Sequence, residues 1–234
     1  MISNREVKIH RPFGPYIMQT TISEELHNIL LKNAKKIRKN KKLKLQNDYR
    51  NKLAGNLKEE YSYNGAFTNK EMSIIDDEFR WLASVFTKKS KEAIDSNFGL
   101  EPKDINILKP VWVNFMKAGE WNPAHNHTGD ISCVTYLQVP PEIAQENNNS
   151  SASNKSNTPS AGKIEFSYGD SIPYSRGGLM FTPRERDIYF FSAKLRHFVY
   201  PFQSKKERIS VSLNFSNIIT AKNNLYGVGE QVMK

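Results

Sequence analysis

Two regimes of hydrophobic spacing divide the chain. Up to about residue 100 the apolar positions recur every three or four residues, the period of an amphipathic helix; from Ile105 onward they alternate with polar ones. Leu26, Ile29, Leu30 and Ile37 share one helical face and predict a helix from about Ser23 into the basic segment that follows. Thr21-Ile22-Ser23-Glu24 ahead of it has the form of a capping box, with Thr21 as the cap and Glu24 reaching back. A turn-rich patch over residues 61–68 precedes a second box, Thr68 to Glu71. The helix it opens carries Ile74, Ile75, Phe79, Leu82, Val85 and Phe86 on one face and ends near Phe98-Gly99. Phe79 and Trp81 in that helix are read as core, because aromatic residues at helical spacing usually pack. Before both helices, E-V-K-I-H-R-P-F-G-P-Y-I-M alternates partially around Pro and Gly, predicting one or two opening strands with a turn near residues 12–15.

The second half reads differently. I-N-I-L-K-P-V-W-V-N-F-M-K-A, I-S-C-V-T-Y-L-Q-V, K-I-E-F-S-Y, D-I-Y-F-F-S and R-I-S-V-S-L-N-F-S are short runs rich in β-branched and aromatic residues, separated by turns. They predict an antiparallel all-β unit, a sandwich or jelly roll. Residues 146–162 are polar and of low complexity, unable to bury a core, and are expected to form a mobile insertion between two strands. The expected organisation is one structural domain: residues 1–104 form a strand-and-helix support, 105–220 the β core with its insertion, and 221–234 a tail.

Charge and cysteine content narrow the setting. The formal net charge is +10, and much of it lies between Lys35 and Lys58, which invites a nucleic-acid or acidic partner. No helix-turn-helix, zinc-finger or RNP-like signature accompanies the basic run, and a solvated helix face is the plainer reading. Cys133 is the only cysteine, which excludes an intrachain disulfide and suits a reducing compartment. It sits within an apolar strand pattern and is read as core rather than as a nucleophile. No apolar run reaches the roughly 20 residues needed to span a bilayer, and the N-terminus lacks the apolar stretch of a signal peptide. A cytoplasmic protein with no membrane association is therefore expected.

The candidate chemistry rests on three of the five histidines. In P-A-H-N-H, the H-x-H spacing would put His125 and His127 on one side of an extended strand. A third histidine from a distant strand, His197, which follows D-I-Y-F-F-S-A-K-L-R and its turn, could complete a metal site with open positions. Eleven residues on, Arg208 opens another strand, on the same face as Ser210 and Ser212. A guanidinium beside a hydroxyl on one strand face can grip a carboxylate. A metal-binding pair, a distal histidine and a carboxylate clamp thus occur in a fixed order.

That order resembles the 2-oxoglutarate- and iron(II)-dependent oxygenase superfamily, whose common pattern is H-x-D, a distal H, and R-x-S about ten residues later. More narrowly, W-V-N-F-M-K-A-G-E-W-N-P-A-H-N-H, F-F-S-A-K-L-R-H-F-V-Y-P-F and E-R-I-S-V-S-L-N-F are similar to an oxygenase family carrying P-H-x-H, F-P-S-x-L-x-H-x-V-x-P and R-I-S-I-S-F-N. The resemblance covers about residues 111–216. It implies an α+β, mainly β fold, a double-stranded β-helix (jelly roll) with N-terminal buttressing helices. It implies a hydroxylase using Fe(II), 2-oxoglutarate and O2, which yields succinate. By the same resemblance, His125 and His197 match metal ligands, Arg208 and Ser210 the grip on the distal carboxylate, and Tyr136 a tyrosine used on that carboxylate. His127 stands where the superfamily usually has aspartate. Three readings remain open there: a three-histidine site, Asp130 as the carboxylate ligand, or His127 outside the ligand set with an extra open position on the iron. Asn114, Asn122 and Asn214 are candidates for the cavity wall. A cupin is the nearest rival, but the glutamate expected a few residues after H-x-H is replaced by Ile131 and Ser132, and a cupin has no use for Arg208 and Ser210. A jelly roll kept for binding, without turnover, is the rival from another class. The substrate, small molecule or macromolecule, is not legible in the residues.

Overall fold

In a computed structural model of the chain, the residues described are 6–10, 14–93, 101–148, 157–170, 173 and 177–217. The opening alternation forms β1 (Lys8–His10) and β2 (Ile17–Thr21), an antiparallel pair. The expected turn lies partly in residues 11–13, outside the described residues. The helix α1 (Glu24–Lys39) follows, but Ser23 caps it rather than Thr21. Thr21 is the last residue of β2, held in the sheet opposite Asp187. The Ser23 hydroxyl accepts from the Leu26 amide at 3.0 Å. The carboxylate on the Ser23 amide comes from Glu78, at 2.7 Å, so a tertiary contact takes the part assigned to Glu24.

Leu26, Leu30, Ala34 and Ile37 of α1 are buried, while Lys35, Lys36 and Lys39 stay exposed on the opposite face. The short α2 (Lys41–Gln46) carries the basic run on. Where turns were expected, residues 60–62 form β3 (Glu60–Ser62), because their backbone pairs with a neighbouring strand. The long α3 (Asn69–Ala93) opens on the expected box: the Thr68 amide donates to Glu71 at 2.9 Å and the Glu71 amide to the Thr68 hydroxyl at 3.3 Å. Its expected end near residues 98–99 is outside the described residues.

The alternating half gives β4 (Ile105–Met116), β5 (Asn122–His125), β6 (Ile131–Gln138), the short α4 (Pro141–Glu146), β7 (Ile164–Ser167), β8 (Gly178–Phe181), β9 (Asp187–Ser192), β10 (Arg196–Val199) and β11 (Arg208–Asn217). Among the described residues these build a seven-stranded sheet in the order β1-β2-β9-β6-β11-β4-β3 and a four-stranded sheet in the order β5-β10-β7-β8. The neighbours pair antiparallel throughout. This is a jelly roll with helices against the larger sheet. Residues 149–156 of the polar insertion, expected to be mobile, lie outside the described residues.

Each strand of the large sheet sorts its residues between two environments. Val111, Val113 and Phe115 of β4, Ile131, Cys133 and Leu137 of β6, Ile188 and Phe190 of β9, and Ile209, Val211, Leu213 and Phe215 of β11 join the helical residues in one core. Burial of each large side chain contributes about 1.5–3 kcal/mol. The intervening residues point between the sheets, where Val134, Tyr136, Tyr189 and Phe191 meet Ile164 and Phe166 of the smaller sheet. On β11 this inner set is Arg208, Ser210, Ser212 and Asn214, all buried. Polar residues that alternation alone would assign to solvent therefore face a protein interior. No helix among the described residues is long and apolar enough to cross a membrane.

Candidate metal centre and anion pocket

His125 on β5 stands directly opposite His197 on β10, an antiparallel pairing that brings their ring centroids to 4.3 Å. His197 follows β9 and the turn at Ala193 and Lys194, as expected, and lies on the strand β10. His127 departs from the expected strand alternation. The strand β5 ends at His125, and the His127 amide donates to the Ala193 carbonyl at 2.8 Å as the chain turns. That bond, and packing on Trp112 at 5.7 Å, bring the His127 ring to the other two. Gly129 allows the turn: its φ is 88°, and a Cβ there would lie 2.6 Å from the Phe215 carbonyl oxygen on β11.

The three imidazoles offer ligand nitrogens all within 4.8 Å of one another. His125 Nδ1 donates to the Pro123 carbonyl at 2.6 Å, and His197 Nδ1 to the Leu195 carbonyl at 3.0 Å. Each bond fixes the tautomer and leaves Nε2 with a free lone pair, as metal-binding histidines require. The Nε2 atoms of His127 and His197 are 3.1 Å apart. Two metal–nitrogen bonds of about 2.0–2.1 Å meeting near a right angle would put their nitrogens about 3 Å apart. Burial lowers the affinity of all three rings for protons. It holds His127 at about 3, with His125 adding to the effect, and His197 well below its ordinary value. Neutral imidazoles on a divalent metal fit this donor set. Asp130, the alternative ligand, is exposed on the turn and outside the cluster; its backbone bonds Phe215 and Ala193.

The histidines share a cavity of about 190 Å³ with Arg208, Ser210, Ser212, Tyr136, Asn114, Asn122 and Trp112. Arg208 is 2% exposed. Its guanidinium donates to the Gly162 carbonyl at 2.6 Å and contacts Met116 Sδ, and it lies near the rings of Tyr136 and Phe202. Its Nε is buried without a partner, and no carboxylate pairs with it among the described residues. A buried charge left without a counter-ion costs several kcal/mol. The cavity therefore suits an anion, and a dicarboxylate that meets a metal at one end and Arg208 at the other fits the residues present. Tyr136 has a buried hydroxyl without a partner, and burial pushes its ionisation up to about 12, against the pull of Arg208. Asn214 is buried but lies outside the cavity wall. Cys133 is fully buried, and burial pushes its thiol ionisation well up.

One wall residue escaped the sequence reading. Glu60 on β3 is fully buried, and neither carboxylate oxygen has a hydrogen-bond partner. Burial, with the negative charge of Glu120 adding, pushes its ionisation up to about 7. A three-residue strand offers no periodicity from which its orientation could be read.

Residues 110–214 match the family model described as "Putative 2OG-Fe(II) oxygenase". That segment begins in β4, ends in β11 and contains all three histidines, Tyr136, Arg208 and Ser210. Among solved structures, a Pseudomonas putida prolyl-4-hydroxylase is similar at 12% identity and a TM-score of 0.50, over 86% of this chain and 92% of that one. An oxidoreductase of the 2OG-Fe(II) oxygenase family from Burkholderia pseudomallei is 17% identical at a TM-score of 0.34, over 48% of this chain and 45% of that one. The match thus spans less than half of that protein's length. A prolyl hydroxylase from Trichoplax adhaerens, solved with a hypoxia inducible factor oxygen degradation domain peptide fragment, is 11% identical at a TM-score of 0.43, over 90% and 83% of the two chains. The Pseudomonas structure supports the fold and nothing finer. No curated protein matches the chain.

Proposed function

We infer, from the premise that this jelly roll is one of the 2OG-Fe(II) oxygenase superfamily, that the chain is an iron(II)- and 2-oxoglutarate-dependent dioxygenase that hydroxylates its substrate. The observation that carries this reading is Arg208: a buried guanidinium, without a carboxylate partner among the described residues, in the cavity that also holds three neutral imidazoles. His125, His127 and His197 would hold the iron. Arg208, with Ser210 and Tyr136, would hold the far carboxylate of 2-oxoglutarate. When bound, iron, 2-oxoglutarate and O2 supply the oxidation, and 2-oxoglutarate leaves as succinate and carbon dioxide.

The chain's own residues supply position and polarity. The carbonyls of Pro123 and Leu195 lock two rings with Nε2 inward. The bonds from Arg208 to Gly162 and Met116 fix the plane of its guanidinium, which sets the direction of its free donors. Tyr136 keeps its proton at neutral pH and so donates a hydrogen bond rather than repelling an anion. Phe166, Phe191 and Trp112 pack on the histidine rings and exclude water from them. Three neutral ligands leave the charge of a divalent metal uncompensated by protein, which strengthens the demand for an anionic co-ligand.

Anaerobic protein loaded with iron(II) is expected to develop a metal-to-ligand absorption band on addition of 2-oxoglutarate and to release succinate under air. Arg208→Ala should weaken 2-oxoglutarate binding by about tenfold or more while iron stays bound. Absence of both the band and succinate from the wild-type protein would overturn the oxygenase reading and leave a binding jelly roll.

A further inference from the structure

The cavity has a second unmet charge, at one end of a polar row. Ser210 on β11 pairs with Tyr136 on one side and Asn114 on the other, and Asn114 pairs in turn with Glu60. Residues directly opposite in antiparallel strands project from the same face. Tyr136, Ser210, Asn114 and Glu60 thus form one line across β6, β11, β4 and β3. With strands about 4.8 Å apart, Glu60 stands about 10 Å along that line from Ser210. Arg208 stands outside that line, two residues along β11 from Ser210.

The surroundings of Glu60 specify what it lacks. Of the cations nearby, Lys44 and Lys117 bind Glu59 and Arg50 binds Asp48, while Lys52 and Arg208 line the same cavity. Among the described residues none pairs with Glu60; the charges of Glu120 and Asp48 add negative potential around it, and Arg50 offsets part of it. Asn114, its neighbour in the row, also has a buried carbonyl oxygen without a partner. Glu60 and Asn114 thus place unmet acceptor atoms side by side in this wall. Lys52, Leu53, Ala54 and Leu57 line the same cavity. Gly55 leaves the necessary room, since a Cβ there would lie 2.6 Å from Glu60 Oε1 and 2.8 Å from Leu57 Cδ1.

We propose that Glu60 is the specificity-determining group of this cavity and that it recognises a protonated nitrogen, an ammonium or guanidinium, on the substrate. The proposal rests on the oxygenase reading for its cosubstrate end, but not for the chemistry of Glu60. Buried acceptors gain most from a donor that also brings positive charge, because the low-dielectric surroundings strengthen the pair and a neutral donor would leave the carboxylate's charge unbalanced. One cavity would then hold a dicarboxylate at its Arg208 end and a cationic substrate group at its Glu60 end.

The test uses the full chain, with iron(II) and 2-oxoglutarate under anaerobic conditions. The probes are Nα-acetyl-L-lysine amide, Nα-acetyl-L-arginine amide and spermidine, set against the neutral Nα-acetyl-L-norleucine amide and Nα-acetyl-L-citrulline amide. Binding is read by calorimetry and by displacement of the iron–2-oxoglutarate band. At least one cationic probe is expected to bind about tenfold or more tightly than its neutral counterparts, and Glu60→Gln to remove that advantage while the band remains. Gly55→Ala, which fills the space beside the carboxylate, should weaken the cation in the same way. Equal binding of neutral and cationic probes, no cation binding up to tens of millimolar, or full cation affinity in Glu60→Gln would each overturn the proposal. If the wild-type band never forms, the oxygenase reading fails separately, and calorimetry with the cations alone still decides the role of Glu60.

Discussion

Replacing Glu60 by Gln should make the protein more stable at pH 8 and should have a much smaller effect at pH 5. The carboxyl is fully buried with both oxygens unpaired, and its ionisation rises from an ordinary 4.5 to about 7. Below 4.5 the group is protonated in both the folded and unfolded chain and contributes no difference. Between 4.5 and 7 the folded chain retains a proton that the unfolded chain has released, so stability falls as pH rises. Above 7 the penalty is complete, and at about 1.36 kcal/mol per pH unit it amounts to about 3 kcal/mol. Because the amide of Gln stays neutral, the variant lacks this slope. Its melting temperature relative to wild type should rise by roughly 6–12 °C between pH 5 and pH 8, at about 2–4 °C per kcal/mol for a chain of this size. Urea or thermal unfolding of the metal-free protein at the two pH values measures this. Any constant cost of burying an amide cancels in the comparison between pH values. A difference between variant and wild type that is the same at pH 5 and pH 8 would refute the argument that Glu60 ionises in a buried, unpaired state. A carboxylate that costs this much when folding is complete is better explained by what it binds than by what it stabilises.

His197→Ala should lose bound iron, measured as metal per chain after dialysis, and normal iron content would remove His197 from the ligand set. Glu71→Gln should destabilise the protein by about 1 kcal/mol, since Glu71 bonds the Thr68 amide and hydroxyl and pairs with Lys32. The contacts hold its carboxyl at about 2, so the wild-type advantage should be present above pH 4.5 and disappear as pH falls through about 2, which urea unfolding across that range would show. Phe190→Ala should cost about 3–5 kcal/mol, because the ring is fully buried between Phe86 and Phe215; a smaller loss would mean that the core collapses into the space.

Element types were largely written in local spacing. The face shared by Leu26, Leu30 and Ile37 and the box at Thr68 and Glu71 are properties of a few adjacent residues, and both helices follow from them. The strands β4, β6, β7, β9 and β11 were legible for the same reason. β3, β8 and β10 were not, because they are short and, unlike the equally short β7 with Ile164 and Phe166 alternating with Glu165 and Ser167, show no clear alternation of their own. The cap of α1 shows the same limit. Thr21 and Ser23 are both good capping residues, and the choice fell to Ser23 because the sheet claims Thr21 while Glu78 reaches across from α3.

The sequence by itself determined the inventory of the site: three histidines, an arginine and a hydroxyl in an order that only certain chemistry uses. Tertiary structure decided how they meet. His127 reaches the cluster through a turn bonded to Ala193, not through strand alternation. The alternation of β11 reads equally well with its polar face toward water, and only the second sheet, closing over Arg208 and Ser210, makes that face an interior. Glu60 shows the division most plainly. An acidic residue in a polar stretch is unremarkable until a strand pairing turns it into a cavity where, among the described residues, no cation pairs with it. Charge in a sequence is a local fact, whereas its solvation and its partners depend on everything folded around it.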